Sequence, residues 1–265
     1  NQFMGGKGAN QAVAAARLGA EVSLIGAVGD DSFGCELLAG LQREFVNTDA
    51  VKTICGQPTG IANITVAEND NNIIVVSGAN FALTPADIEA QESRIAAADV
   101  ILSQLEIPME CVLAAARLAK KHHKPFILNP APAQLLPPEL LSLIAVLTPN
   151  AHELAISLGL PADISAPDLI RQSSCRVVMT RGDEGALYND AAGSLHHQPG
   201  FSVQPVDTTG AGDTFNAALA VFWQQGTAEA VRHANAAAAL SITVLGAQSG
   251  MPTAAALQNF LAQAH

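Results

Sequence analysis

The run Asp207-Thr208-Thr209-Gly210-Ala211-Gly212-Asp213 is followed at once by an Ala-rich stretch with helical spacing. The small residues Gly210, Ala211 and Gly212 leave the first N–H groups of that helix uncovered, and uncovered donors at the positive end of a helix dipole make an anion site that suits phosphate. Asp213 falls in the first turn, where it is stabilised as an anion and can take a proton from a hydroxyl lodged beside it. Taken alone, Asp at that place is more often a cap. A second glycine-rich turn, Gly5-Gly6-Lys7-Gly8-Ala9-Asn10, also opens a helix. It is not a P-loop, because Gly8 stands where Ser or Thr must follow the Lys, and Gln11 stands where a dinucleotide fingerprint needs Gly. Its glycines let a ring approach the backbone, and Asn10 offers a donor and an acceptor to the vicinal hydroxyls of a sugar. A tight turn without a ligand is the other reading.

Weaker pieces gain meaning beside these two. Thr180-Arg181-Gly182-Asp183-Glu184-Gly185 follows an apolar run, at the strand end where phosphates are received in parallel sheets. By itself it reads equally as a strand-to-strand turn. Asn150 and Glu153 open a helix three residues apart on one face, an amide and a carboxylate suited to a hydrated Mg²⁺ and, alone, more often a cap. Glu106 follows the apolar run Val100 to Leu105. His122-His123 and His196-His197 lack a third ligand at helical or hairpin spacing and read as solvated surface residues, and there is neither an HExxH nor a GxSxG motif.

The elements that must position these residues alternate. Val22 to Val28, Val100 to Ser103, Phe126 to Leu128, Ala145 to Leu147 and Val177 to Thr180 read as strands buried on both faces. Ala9 to Leu18, Ser32 to Arg43, Pro85 to Ala97, Pro108 to His122 and Ala151 to Leu158 carry helical spacing, and the final third is helical over Ala211 to Gln225, Ala228 to Val244 and Thr253 to Ala264. This is an α/β pattern, a mostly parallel sheet with helices on both faces. Ile61 to Ala67 and Asn72 to Ser77 break the rhythm as an antiparallel hairpin about Glu68-Asn69-Asp70-Asn71, either a lid or an edge that closes the sheet.

Composition bounds the function. The 265 residues carry 13 Lys plus Arg against 24 Asp plus Glu, a net charge of −11 without a basic run, which argues against nucleic acid. Aromatic residues are only 4% against 49% apolar, so the core is built from Ala, Val, Leu and Ile. No stretch approaches the roughly 18 uninterrupted apolar residues of a membrane span and no leader opens the chain, so the expectation is a cytoplasmic protein with no membrane partner. The four cysteines, at 35, 55, 111 and 175, have neither zinc-ligand nor disulfide-framework spacing and read as free thiols.

Gly5 to Ala14 running on to Gly29-Asp30-Asp31-Ser32-Phe33-Gly34, together with Asp207 to Phe215, resembles the two signatures of the ribokinases and the wider PfkB-type carbohydrate kinase family. Leu105-Glu106, Asn129-Pro130-Ala131-Pro132, Thr148-Pro149-Asn150 and Gly246-Ala247-Gln248 follow in family order. The resemblance implies a ribokinase-like three-layer sandwich, with 1–56 and 78–265 as the kinase core and 57–77 as a β-hairpin lid; if Ile61 to Ser77 carries an exposed apolar face, a homodimer formed through that lid would cover it. It implies ATP-dependent phosphorylation of ribose at the 5-hydroxyl, with Asp213 as base and Gly210, Ala211 and Gly212 as the anion hole. Alternatives are a kinase of 2-deoxyribose or another small sugar or nucleoside, and an inactive sugar- or nucleotide-binding protein.

By the same resemblance, Gly6, Lys7, Gly8, Ala9, Asn10 and Glu106 contact the sugar. Asn150, Thr180, Arg181, Gly182, Asp183, Glu184, Gly185, Gly212 and Asn235 contact the nucleotide, Asn235 standing where many members carry His. Glu153 organises Mg²⁺ through water, and Asp207, Thr209, Ser241, Val244, Gly246 and Gly250 hold an activating K⁺. Members of the family begin with a strand and a loop carrying a sugar-gripping Asp, neither of which precedes Asn1, so the resemblance also implies that this strand and part of the lid are missing.

Overall fold

A computed structural model describes residues 3–67 and 70–263, apart from the side chains of 63–74. In chain order the elements are α1 (Lys7–Arg17), β1 (Ser23–Gly29), α2 (Ser32–Arg43), β2 (Asn47–Ile54), β3 (Ile61–Ala67) and β4 (Asp70–Val76). Two short helices, α3 (Pro85–Glu89) and α4 (Glu92–Ala97), precede β5 (Ile101–Ser103), α5 (Met109–Lys121), β6 (Phe126–Leu128), α6 (Pro138–Leu143) and β7 (Val146–Leu147). Then come α7 (Ala151–Leu158), α8 (Ala166–Gln172), β8 (Val178–Thr180), β9 (Ala186–Asn189), β10 (Leu195–Gln198), α9 (Ala211–Val221), α10 (Thr227–Ser241) and α11 (Ala254–Gln263).

β5, β6 and β7 pair in parallel, and the bridges Leu147–Val177 and Asn150–Thr180 carry the parallel order on to β8. β9 and β10 continue from β8 antiparallel. Successive strand residues feed opposite cores, as a period of two requires. Phe126, Leu128, Leu147, Val177, Met179 and Leu187 pack with α5 to α8, while Ile127, Val146, Val178, Ala186 and Tyr188 pack with α9, α10 and α11. A sheet thus lies between two helical layers, as expected.

β1 and β2 form a separate parallel pair, and β3 and β4 an antiparallel one. β2 escapes the sequence reading because Asn-Thr-Asp-Ala-Val-Lys-Thr-Ile is half exposed and offers no apolar run. β4 begins at Asp70 rather than Asn72: Asp70 and Asn71 pair with Ala67 and Val66, so strand pairing overrides their turn preference. Glu68 and Asn69 lie outside the described residues. The expected helix over Pro85 to Ala97 is broken at Ala90-Gln91, where Gln91 opens α4 with its side-chain carbonyl held by Arg94. The four cysteines are free. Among the described residues no helix is long and apolar enough to cross a membrane.

Candidate active site

Three helix starts and the carboxyl ends of β6, β7 and β8 meet at a cleft of about 150 Å³, where an α/β sheet receives its ligands. α9 begins at Gly210, whose φ of 81° is the left-handed conformation that glycine adopts without strain. Gly212 is exposed at the cleft, and Asp213, the third helical residue, is 7% exposed and lines the same wall. α1 begins at Gly6 with φ 90°, which turns the backbone so that the Lys7 N–H donates to Glu106 Oε2 at 2.8 Å. Asn10, on the first turn of α1, donates through Nδ2 to Asp213 Oδ2 at 2.9 Å. Asp213 does not cap its own helix: its carboxylate reaches across to α1, which removes the cap alternative.

Burial pushes the carboxyls of Asp213 and Glu106 above their usual range, against the field of Lys7 and, for Asp213, against the amides of Asn10 and Gln11. Glu153 is also raised by burial, again opposed by Lys7. One ammonium therefore acts on three carboxylates around the cleft. Asn150 and Glu153 form a reciprocal capping box at the start of α7, each side chain bonded to the other's backbone N–H at 2.8 Å, so the cap reading holds while both residues still line the cleft. Glu153 keeps one carboxylate oxygen outside the box. A lone half-buried carboxylate fits a Mg²⁺ held through water and substrate phosphates rather than an all-protein cage, and no group of three metal-ligating side chains occurs among the described residues.

The other expected residues fall into two neighbouring groups. Thr180 lines the cleft, while Arg181 to Gly185 make the tight turn into β9, with the Arg181 N–H donating to the Gly185 carbonyl at 2.8 Å. Asn235 donates to the carbonyls of Gln198 and Pro199 at 3.1 Å, and a side chain at Gly185 would strike that same Gln198 carbonyl. Asn235 and the Gly185 turn are thus tied to one segment. The second group surrounds Asp207, which accepts from the backbone N–H groups of Thr209 at 2.9 Å and Gly246 at 2.8 Å. Hydrogen bonds from Thr209, then from Gly246, hold this carboxyl below its usual range. Gly250 lies directly on the Ser241 carbonyl, Val244 is exposed, and Gly210 packs against Ala247, so this loop abuts the start of α9.

Six polar residues reach the site without having been assigned a role from sequence: Gln11, Gln104, Asn129, Thr148, Asn216 and Gln248. Gln11 Nε2 donates to Asp213 Oδ1 at 3.0 Å and to Asn129 Oδ1 at 3.3 Å. The Thr148 hydroxyl donates to Asn216 Oδ1, and Asn216 Nδ2 donates to the Gly212 carbonyl at 2.8 Å, which steadies the first turn of α9. Gln11, Asn129, Thr148 and Asn216 are polar groups buried within an apolar frame, the one signal that marks them.

The pfkB family carbohydrate kinase profile matches residues 1–254. The chain belongs to the pfkB family of carbohydrate kinases. It is accordingly a sugar kinase. The chain is 45% identical to the ribokinase of Bacillus subtilis over 252 residues, which is 94% of this chain and 84% of that one. It is 36% identical to the deoxyribokinase of Salmonella typhimurium over 267 residues, 97% of this chain and 87% of that one. The fold matches that of an Arabidopsis thaliana ribokinase complexed with ribose and ATP, with a TM-score of 0.89 at 32% identity, covering 97% of this chain and 87% of that one.

Proposed function

We propose that this enzyme transfers the γ-phosphoryl group of ATP to the 5-hydroxyl of ribose, with Asp213 as the base. The observation that carries this reading is the buried Asp213 carboxylate beside the exposed N-terminal amides of α9. The 5-oxygen bonds to the γ-phosphorus, the bond from that phosphorus to the β–γ bridging oxygen breaks with its electron pair leaving on ADP, and the hydroxyl proton passes to Asp213. Charge on the transferring group is met by the N–H groups of Gly210 and Gly212 and by Lys7, whereas the Ala211 N–H, expected in the same anion hole, donates instead to the Thr208 carbonyl at 3.2 Å, so positioning and electrostatics supply most of the catalysis. Glu153 would hold Mg²⁺ through water, which supplies charge neutralisation to the phosphates.

Gly6, Lys7, Gly8, Ala9, Asn10 and Glu106 would face the sugar, and Asn150, Thr180 to Gly185 and Asn235 the nucleotide. The loop joining Asp207 and Thr209 to Ser241, Val244, Gly246 and Gly250 suits a monovalent cation such as K⁺, because it combines an ionised carboxylate with crowded backbone carbonyls. Residues 57–77 would act as a lid on a core of 1–56 and 78–265. Ile61, Val75 and Val76 expose apolar surface there, which supports pairing with a second copy.

A coupled assay of ADP release with ribose and 2-deoxyribose tests the substrate. The larger kcat/KM is expected for ribose, and a preference for 2-deoxyribose would replace it with the second sugar. Asp213→Asn is expected to lower kcat by about 10²- to 10⁴-fold, the usual yield of a general base. Near-normal turnover in a folded D213N protein would remove Asp213 from that role.

A further inference from the structure

Each oxygen of the Asp213 carboxylate is held by a different side-chain amide, and each of those amides is held in turn by a glutamine. Asn10 Nδ2 donates to Oδ2 at 2.9 Å while its own Oδ1 accepts from Gln248 Nε2 at 3.0 Å. Gln11 Nε2 donates to Oδ1 at 3.0 Å while its own Oε1 accepts from Gln104 Nε2. We infer that Gln104 and Gln248 are positioning residues for phosphoryl transfer, each locking the orientation of the amide that grips one oxygen of the base. This rests on Asp213 being that base.

The physical need arises from the symmetry of an amide. Rotating Asn or Gln by half a turn exchanges NH₂ for carbonyl with almost no change of shape, so packing alone does not choose between the two. The wrong choice would aim a carbonyl at a carboxylate, acceptor against acceptor, inside a buried site where an unmade hydrogen bond is costly. At Gln11 the choice is forced from three sides. Its Nε2 meets two acceptors, Asp213 Oδ1 and Asn129 Oδ1, and its Oε1 meets the Gln104 donor. Asn129 is itself oriented by donating Nδ2 to the Thr148 carbonyl at 3.2 Å. Gln104 has room for its own carbonyl because Gly8 lies against it: a Cβ there would stand 3.3 Å from Gln104 Oε1.

The second relay is anchored on the backbone. Arg17 Nη1 donates to the Gln248 carbonyl at 2.5 Å, and the same guanidinium grips both oxygens of Glu44 at 2.7 and 2.9 Å. The two relays differ in their reach. Gln104 acts on the base through Gln11 alone, whereas Gln248 acts through Asn10, which faces the sugar in the reading above. Gln104 variants should therefore change the chemical step, and Gln248 variants both that step and sugar binding.

The charged groups facing Asp213 from its neighbours are Lys7 on α1 and Glu106 after β5. α10, packed on α9, has no titratable side chain from Ala234 to Ser241, and its His233 stacks on Phe222 beyond the far end of α9. Loss of a donor to the carboxylate disfavours its ionised form, so the acid limb of the activity profile should move to higher pH.

The experiment is the pH profile of kcat and kcat/KM for Gln104→Met, Gln104→Glu and Gln248→Met, with folding followed by circular dichroism. Q104E cannot donate to Gln11 and should reverse its amide, moving the acid limb up by about one pH unit, equivalent to tenfold in activity below the limb. Q104M, which adds no charge, should move it the same way by less, with the ribose KM within about twofold of wild type on the argument that Gln104 does not touch the sugar. Q248M should shift the limb and raise the KM. Wild-type limbs in folded Q104M and Q104E, or activity lost only in proportion to folded protein, would overturn the inference. If Q104E does not fold, Q104M decides alone. D213N separates the two readings: an active D213N defeats the assignment of the base, whereas an inactive D213N with unmoved Gln104 limbs defeats only the relays.

Discussion

Glu106 shows how this site trades stability for chemistry at the scale of one residue. Its carboxyl is raised by burial, so ionisation costs the folded state more than the unfolded one. The sign follows: the cost is absent in acid, appears as pH rises through the ordinary value of 4.5, and is complete above the raised folded value. Glu106→Gln keeps an acceptor for the Lys7 N–H without the charge. We expect E106Q to melt higher than wild type at pH 8, with the gain vanishing toward pH 4, and to bind sugar more weakly; equal melting points across that range would contradict the burial account. Lys7, Asn10, Glu106 and Asp213 were legible in the sequence because their types state a chemistry at helix starts and strand ends. Gln104 and Gln248 were not. A glutamine after an apolar run looks like any surface amide until its partner, 93 residues away for Gln104 and 238 for Gln248, is known.

Among the elements, the glycines of the site region divide into two kinds, one in the first turn of α9 and one in the loop between α10 and α11. Gly212 has open space around a hypothetical Cβ and ordinary φ, so nothing in the fold requires glycine there. Gly250 is different, because a Cβ would stand 2.0 Å from the Ser241 carbonyl oxygen, backbone that cannot give way cheaply. Gly212→Ala should leave the melting temperature unchanged or slightly higher, as Ala favours a helix by about 0.5–1 kcal/mol over Gly, yet lower kcat by crowding the transferring group. Gly250→Ala should destabilise by about 1–3 kcal/mol, a fall in Tm of roughly 2–12 °C for a chain of this size. Calorimetry and steady-state kinetics on the two variants would distinguish them, and the reverse pattern would refute the division. The helices Ser32–Arg43 and Ala151–Leu158 were predicted to the residue, since Asp31 and Asn150 cap them through their side chains. β2 was not found: it is half exposed and is specified by its partner β1 more than by its own pattern.

For the molecule as a whole, exposed apolar surface gathers at the hairpin. Ile61 and Val76 are opposed in register and 46% and 48% exposed, next to Val75 at 59%. If a second copy covers them, Ile61→Glu with Val76→Glu should give a monomer in sedimentation velocity where the wild type is a dimer; a wild-type monomer at micromolar concentration would sink the pairing. At the opposite extreme of burial stands α9. Its Phe215, Ala218 and Leu219 belong to the core beneath the sheet, and its Ala217 to the cluster formed with α1, α2 and Met251. The helix that presents Asp213 is therefore a member of two cores at once. Local opening that released Asp213 would have to disturb both, so the amides of this helix are expected among the slowest-exchanging of the protein. The geometry about Asp213 should then persist unchanged up to global unfolding, rather than fray in advance of it.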